Sequence, residues 1–314
     1  MKNKIDFIRQ FPQIVTNIDL DGFLSFFFLK KAFPEVLLRG LTNSHDKIYL
    51  SEDIKRKFTC YVDLWVNNPL IPNIDQHIVS YNSVDDKEKR CNSLKLNPNL
   101  LVEEERSLCK NYNLKYPFGT CHYILAELNR IGIEIDIDLN FVICNDIRLG
   151  DLIARADGCF INKLNYTYNV SQWEKWVKDY SKNGKNILEF FNYLNHYDDI
   201  SLKKKNTTVE QFLIKTFKSK QDGGFNEINE INKENVKFLF YKLSEWTGCV
   251  FLKNEIPQFF NEFKGVYSLS TIDNVFNNSN NYFSYAFIKG KNSENNFSFT
   301  NTPDKTNFKR INLF

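Results

Sequence analysis

The sequence predicts an α/β protein, a mainly parallel sheet with flanking helices, followed by a smaller C-terminal α+β domain. Three observations lead there. Short apolar runs of strand length alternate with longer runs at helical spacing. Acidic residues fall at or just past the ends of the strand-like runs, where open α/β sheets carry their sites. At 314 residues, 42% of them hydrophobic, the chain can bury two moderate cores. The expected division is 1–195, a connection over 196–234, and a smaller domain over 235–314.

The elements follow in order. Ile14 to Thr16 reads as a first strand and Gly22 to Ala32 as a helix with Phe-rich buried faces. Val36-Leu37-Leu38-Arg39-Gly40, apolar at its centre, fits a strand covered on both faces, and Phe58 to Val62 makes a third. After Tyr116-Pro117-Phe118-Gly119-Thr120, apolar residues at Ile124, Leu125, Leu128 and Ile131 keep helical spacing, with Thr120 as N-cap and Gly132 as the stop. Phe141 to Cys144 has the composition of a buried strand, and Leu152 to Ala156 that of a helix which Asp151 would cap.

From about residue 160 aromatic residues crowd the text. Trp173, Trp176 and Tyr180 stand at helical spacing, as in a packing surface. Lys203-Lys204-Lys205 reads as a solvated junction, and Ser219 to Gly224 as a polar loop. Asn281 to Ile288 and Asn296 to Thr300 read as a hairpin with alternating aromatic positions.

Composition excludes several classes. A net charge of +3 implies no global polycation, so a nucleic-acid surface would be a local patch. No stretch of eighteen apolar residues is present, and Met1 to Gln10 lacks signal-peptide order, so a cytoplasmic protein without a membrane span is expected. Seven cysteines without a C-x-x-C pair fit a reducing compartment. There is no P-loop, dinucleotide fingerprint, zinc-finger spacing or internal repeat. His122 and His196 are expected on helix surfaces, and His45 in a surface loop.

The chemistry concentrates in Asn17-Ile18-Asp19-Leu20-Asp21-Gly22, where oxygen side chains alternate after a strand and a glycine closes the turn. Tyr61-Val62-Asp63 and Asp75-Gln76-His77 follow, each acid at a strand end. Carboxylates suit a hard divalent ion, and an imidazole tilts the choice toward manganese.

This order of motifs resembles the DHH phosphoesterase superfamily over roughly the first 160 residues. Asp19, Asp21, Asp63, Asp75 and His77 match its pattern, whereas Asn17 and Gln76 stand where the family carries charge or imidazole. The resemblance implies a metal-dependent hydrolase. Its ligands would be Asn17, Asp19, Asp21, Asp63, Asp75, His77 and Asp151, with Asp146 in reserve for the last. One or two Mn²⁺ or Mg²⁺ ions would activate a hydroxide against phosphorus, Asp63 bridging them, with Asp63, Asp75, Gln76 and His77 as the catalytic set. The implied substrate is a nucleotide or short single-stranded nucleic acid. The glycine-rich element of the family's second domain is absent, leaving Lys289, Lys291, Lys309 and Arg310 as phosphate contacts there. A catalytically impaired binding or sensor protein, and an interaction subunit of inherited fold, stay open as alternatives; oligomeric state is open too.

Overall fold

A computed structural model describes residues 4–43, 47–66, 68–80, 92–102, 106–107, 110–250, 261–266 and 302–303. The strands are β1 (Gln13–Asn17), β2 (Leu37–Thr42), β3 (Lys47–Leu50), β4 (Thr59–Val62), β5 (Asn73–Ile74), β6 (Lys95–Leu96), β7 (Val142–Cys144), β8 (Ile147–Arg148), β9 (Asn261–Val266) and β10 (Thr302–Pro303). The α-helices are α1 (Leu20–Ala32), α2 (Thr120–Arg130), α3 (Leu149–Arg155), α4 (Cys159–Asn165), α5 (Thr167–Tyr180), α6 (Lys185–Asn195), α7 (Asp199–Phe217) and α8 (Lys233–Thr247).

The chain divides into two units of interleaved segments. One comprises Met1–Asn17, Val36–Tyr116 and Ile256–Phe314; the other comprises Ile18–Glu35 and Pro117–Glu255. Residues 196–234, expected to join two domains, fall within the second unit, and α7 runs through them.

The first unit holds a sheet ordered β10-β9-β3-β2-β1-β4-β5-β6. Strands β2, β1, β4, β5 and β6 are parallel neighbours, and β3, β9 and β10 extend the β2 edge antiparallel. The expected mainly parallel arrangement is therefore present around β1. A cluster of Val15, Ile48, Leu50, Tyr61, Leu64, Val66 and Ile71 forms an apolar core in this unit. Gly40 is dictated by packing: a Cβ there would lie 2.7 Å from Leu50 Cδ2 and 2.9 Å from Val15 Cγ2. The hairpin expected over Asn281 to Thr300, the basic residues Lys289, Lys291, Lys309 and Arg310, and His45 lie outside the described residues.

The second unit is helical. Helix α1 is apolar all round rather than along one stripe, and Leu20 to Lys30 are all buried, as such a pattern requires. Phe23, Phe26 and Phe27 gather around Phe240 of α8, with ring centroids at 5.4, 6.0 and 4.9 Å. On α5, Trp173 is buried and Trp176 stacks on Tyr180 at 4.6 Å, a packing surface as read; Tyr166 and Tyr168 stay exposed.

Three expectations are corrected here. Phe141 to Cys144 is not a buried sheet strand: among the described residues β7 pairs antiparallel with β8 alone, and Val142 is 58% exposed. Its apolar run closes a short hairpin through Asn145 in the left-handed region (φ 37°). Lys203 to Lys205 is not a junction but part of α7, whose Leu202, Val209, Leu213 and Phe217 are buried. His122 lies in the interior, 1% exposed, because α2 is covered on nearly every side.

Candidate metal centre

The sheet register lines up the first unit's polar residues. Thr16 pairs with Val62, Val62 with Ile74 and Ile74 with Leu96. The next residue of each strand is therefore Asn17, Asp63, Asp75 and Asn97, one row along the carboxyl edge of adjacent parallel strands. Chain order passes from β1 to β2 on one side and to β4 on the other, so this row sits at a topological switch point, the usual place for a site in an open sheet.

Asp63, Asp75 and His77 each offer a ligand atom, and the three atoms lie within 4.8 Å of one another. Among the described residues this is the grouping of three or more His, Cys, Asp or Glu able to hold an ion. Two carboxylates and an imidazole are a donor set able to hold a divalent metal ion, without selecting one metal. Both acids are buried, at 3% and 0% exposure, while the His77 side chain is 35% exposed.

Neighbours hold these groups in place. Asp75 Oδ1 lies 2.7 Å from His77 Nδ1, and Oδ2 accepts from the His77 backbone N–H at 3.3 Å. When Nδ1 carries the proton, Nε2 is the basic nitrogen, the tautomer that such a carboxylate partner selects for metal binding. Asp63 has φ 57°, a left-handed conformation a non-glycine residue adopts at a cost. Asn17 stabilises it, its amide donating to the Asp63 main-chain oxygen at 2.6 Å and to Oδ2 at 2.9 Å.

Sequence reasoning missed the brace beneath. Asn97 donates to the His77 carbonyl at 2.8 Å and Asn99 to the Gln76 carbonyl at 2.6 Å, so Asn97-Pro98-Asn99 straps the Asp75 to His77 segment. Two asparagines flanking a proline were the available signal. Lys95 was missed as well. Its buried ammonium donates to the Val66 carbonyl and lies 5.1 Å from the Trp65 ring. Burial pulls it down to about 7, against the pull of Cys60 and Asp75. Gln76, expected to face substrate, is 3% exposed.

The remaining expected ligands belong to the second unit. Asp19 is the N-cap of α1, accepting from Gly22 N at 2.8 Å. Burial raises its carboxyl to about 8, with Asp21, Asp222 and Asp157 adding repulsion. Asp21 accepts from Thr120 N at 2.7 Å and Cys121 N at 2.9 Å, so a residue from α1, rather than Thr120, satisfies the first turn of α2. The α2 N-cap is Gly119, and no side chain fits there: a Cβ would lie 2.6 Å from Asp21 Oδ1.

Asp151 takes a capping role. Its carboxylate accepts from Arg148 N (2.9 Å), Tyr193 (2.8 Å), Tyr197 (3.0 Å) and Lys205 (3.0 Å). Asp146 accepts from Lys205 through its main-chain oxygen. Lys205, read from sequence as part of a solvated junction, is thus an internal counter-ion.

His122 Nδ1 accepts from Gly119 N at 2.9 Å, and its ring lies 4.4 Å from that of Phe190. Burial lowers its imidazole to about 4, with Asp21 opposing. His196 is exposed at the end of α6, as expected. No helix among the described residues is long and apolar enough to cross a membrane. No protein-family model matches the chain, and no curated protein or solved structure matches it either.

Proposed function

We propose that the protein is a metal-dependent phosphoesterase, resembling the DHH superfamily, that hydrolyses a phosphodiester or phosphoanhydride bond in a nucleotide or short oligonucleotide. The observation that carries this reading is the convergence of Asp63, Asp75 and His77 at the carboxyl edge of β4 and β5. Asp63, Asp75 and His77 would hold a divalent Mn²⁺ or Mg²⁺ ion, which when bound would supply charge neutralisation at a phosphoryl group and lower the pKa of a bound water. The residues supply position: Asp75 orients His77, Asn17 fixes Asp63, and the Asn97 and Asn99 brace holds the segment between them. The free thiols of Cys60, Cys121, Cys144, Cys159 and Cys249 agree with a cytoplasmic setting.

The test is Mn²⁺-stimulated hydrolysis of dinucleotides, cyclic dinucleotides, short single-stranded DNA and RNA, and pyrophosphate. Asp63→Asn should abolish turnover while the protein stays folded by circular dichroism; retained turnover would refute the assignment. A second reading, a nucleotide-binding sensor without catalysis, is favoured by one observation: Gln76 stands where the resembled family carries an imidazole, and its amide does not titrate. It predicts thermal stabilisation by Mn²⁺ and nucleotide with no product.

A further inference from the structure

We propose that this site takes a single divalent ion, because the Asn17 amide points its hydrogens at Asp63, on the side where a second ion would share that carboxylate. The inference rests on the metal-site reading above and concerns how many ions the site holds. The Asn17 nitrogen faces two acceptors of one residue, the Asp63 carbonyl at 2.6 Å and carboxylate Oδ2 at 2.9 Å. An amide nitrogen carries two hydrogens and no lone pair to offer a cation, so this contact fixes which end of Asn17 meets Asp63. A carboxylate that joins two cations directs lone pairs at both. In this chain one lone pair of Asp63 Oδ2 ends on an amide hydrogen, whose partial positive charge opposes a second cation beside it.

Charge points the same way. Asp63 and Asp75 bring two negative charges, His77 is a neutral ligand and Asn17 adds none, so one divalent ion balances the set. Asn17 and Asp63 are 4% and 3% exposed, so bulk water does not screen an excess of positive charge between them. The contact is also tied to the backbone. Asp63 is held at φ 57° by the same amide, and turning Asn17 away to admit a second ion would release that conformation. Asn17, expected as a ligand, becomes a positioning residue.

The experiment is a titration of the full chain with Mn²⁺, following free-ion loss by electron paramagnetic resonance and binding by calorimetry. The expected result is one ion per chain with the spectrum of an isolated centre. Two ions per chain with an exchange-coupled spectrum would overturn the single-ion inference and leave the site standing. No bound ion would overturn both. Asn17→Asp replaces the donor by a second acceptor of nearly the same shape and should raise the stoichiometry to two. One ion in both proteins would show that Asn17 does not set the number. The wild-type titration stands without the variant.

Discussion

Removing the Asp21 carboxylate should destabilise the protein in the absence of any metal, because its work is to close the N-terminus of α2. Its two oxygens take the N–H groups of Thr120 and Cys121 at 2.7 and 2.9 Å, and all three residues are buried. A hydrogen bond to a charged acceptor contributes about 1.5–3 kcal/mol, and a buried donor left unsatisfied costs about 1–3 kcal/mol. The negative charge at a helix N-terminus adds about 1 kcal/mol. These terms overlap, so Asp21→Ala should lose about 4 kcal/mol. For a unit of this size that corresponds to a fall in Tm of roughly 8–16 °C. Asp21→Asn keeps one acceptor and should lose about half as much. Thermal and urea melts in EDTA, repeated with Mn²⁺, measure both variants. An Asp21→Ala protein within about 1 kcal/mol of wild type in EDTA would refute the capping role, as would a loss seen only when metal is present.

His122 and Asp151 give two further tests. The folded-state pKa of His122, about 4, lies below its ordinary 6.5, so the native state prefers the neutral ring. The stabilisation is complete above pH 6.5 and is lost as pH falls through 4, amounting to about 3 kcal/mol. His122→Asn, which retains an acceptor toward Gly119, should flatten urea-melt stability across that window, and an unchanged slope would contradict the assignment. Asp151→Asn should cost about 3 kcal/mol through the lost Lys205 pair and leave Mn²⁺ affinity unchanged by calorimetry. Weaker Mn²⁺ binding at undiminished stability would return Asp151 to the ligand set.

What could be read from sequence depended on how local its cause was. Strands β1, β2 and β4 and helix α1 are continuous apolar runs bounded by Asp, Gly or Pro, and they appear within a few residues of where the pattern puts them. The same spacing argument stopped α2 correctly, since Gly132 sits at φ 82°. It failed at the other end, where the cap comes from Asp21, 99 residues upstream of Thr120. Strands β5 and β6, of two residues each, leave no periodicity to detect, so Lys95, Asn97 and Asn99 went unremarked. His122 was misplaced because an amphipathic reading of α2 assumes one wet face. Composition likewise could not separate the β7 hairpin from a core strand, because exposure depends on partners the run does not encode.

The Asn17 to Gly22 motif shows why alternate carboxylates are weak evidence for a common ligand set. Along a strand, residues two apart share a face, so Asn17, Asp19 and Asp21 look co-directed. The strand ends at Asn17 and α1 begins at Leu20, so the period changes from two to 3.6 inside the motif. Each side chain then meets a different demand. Asn17 fixes the conformation of Asp63, Asp19 closes its own helix, and Asp21 closes another. Asp63 and Asp75 differ in kind, because each follows a parallel strand directly and the register between β4 and β5 sets them side by side. Spacing within one segment nominates ligands, but the pairing of separate strands selects among them. By that criterion, the inference of a metal rests on Asp63, Asp75 and His77.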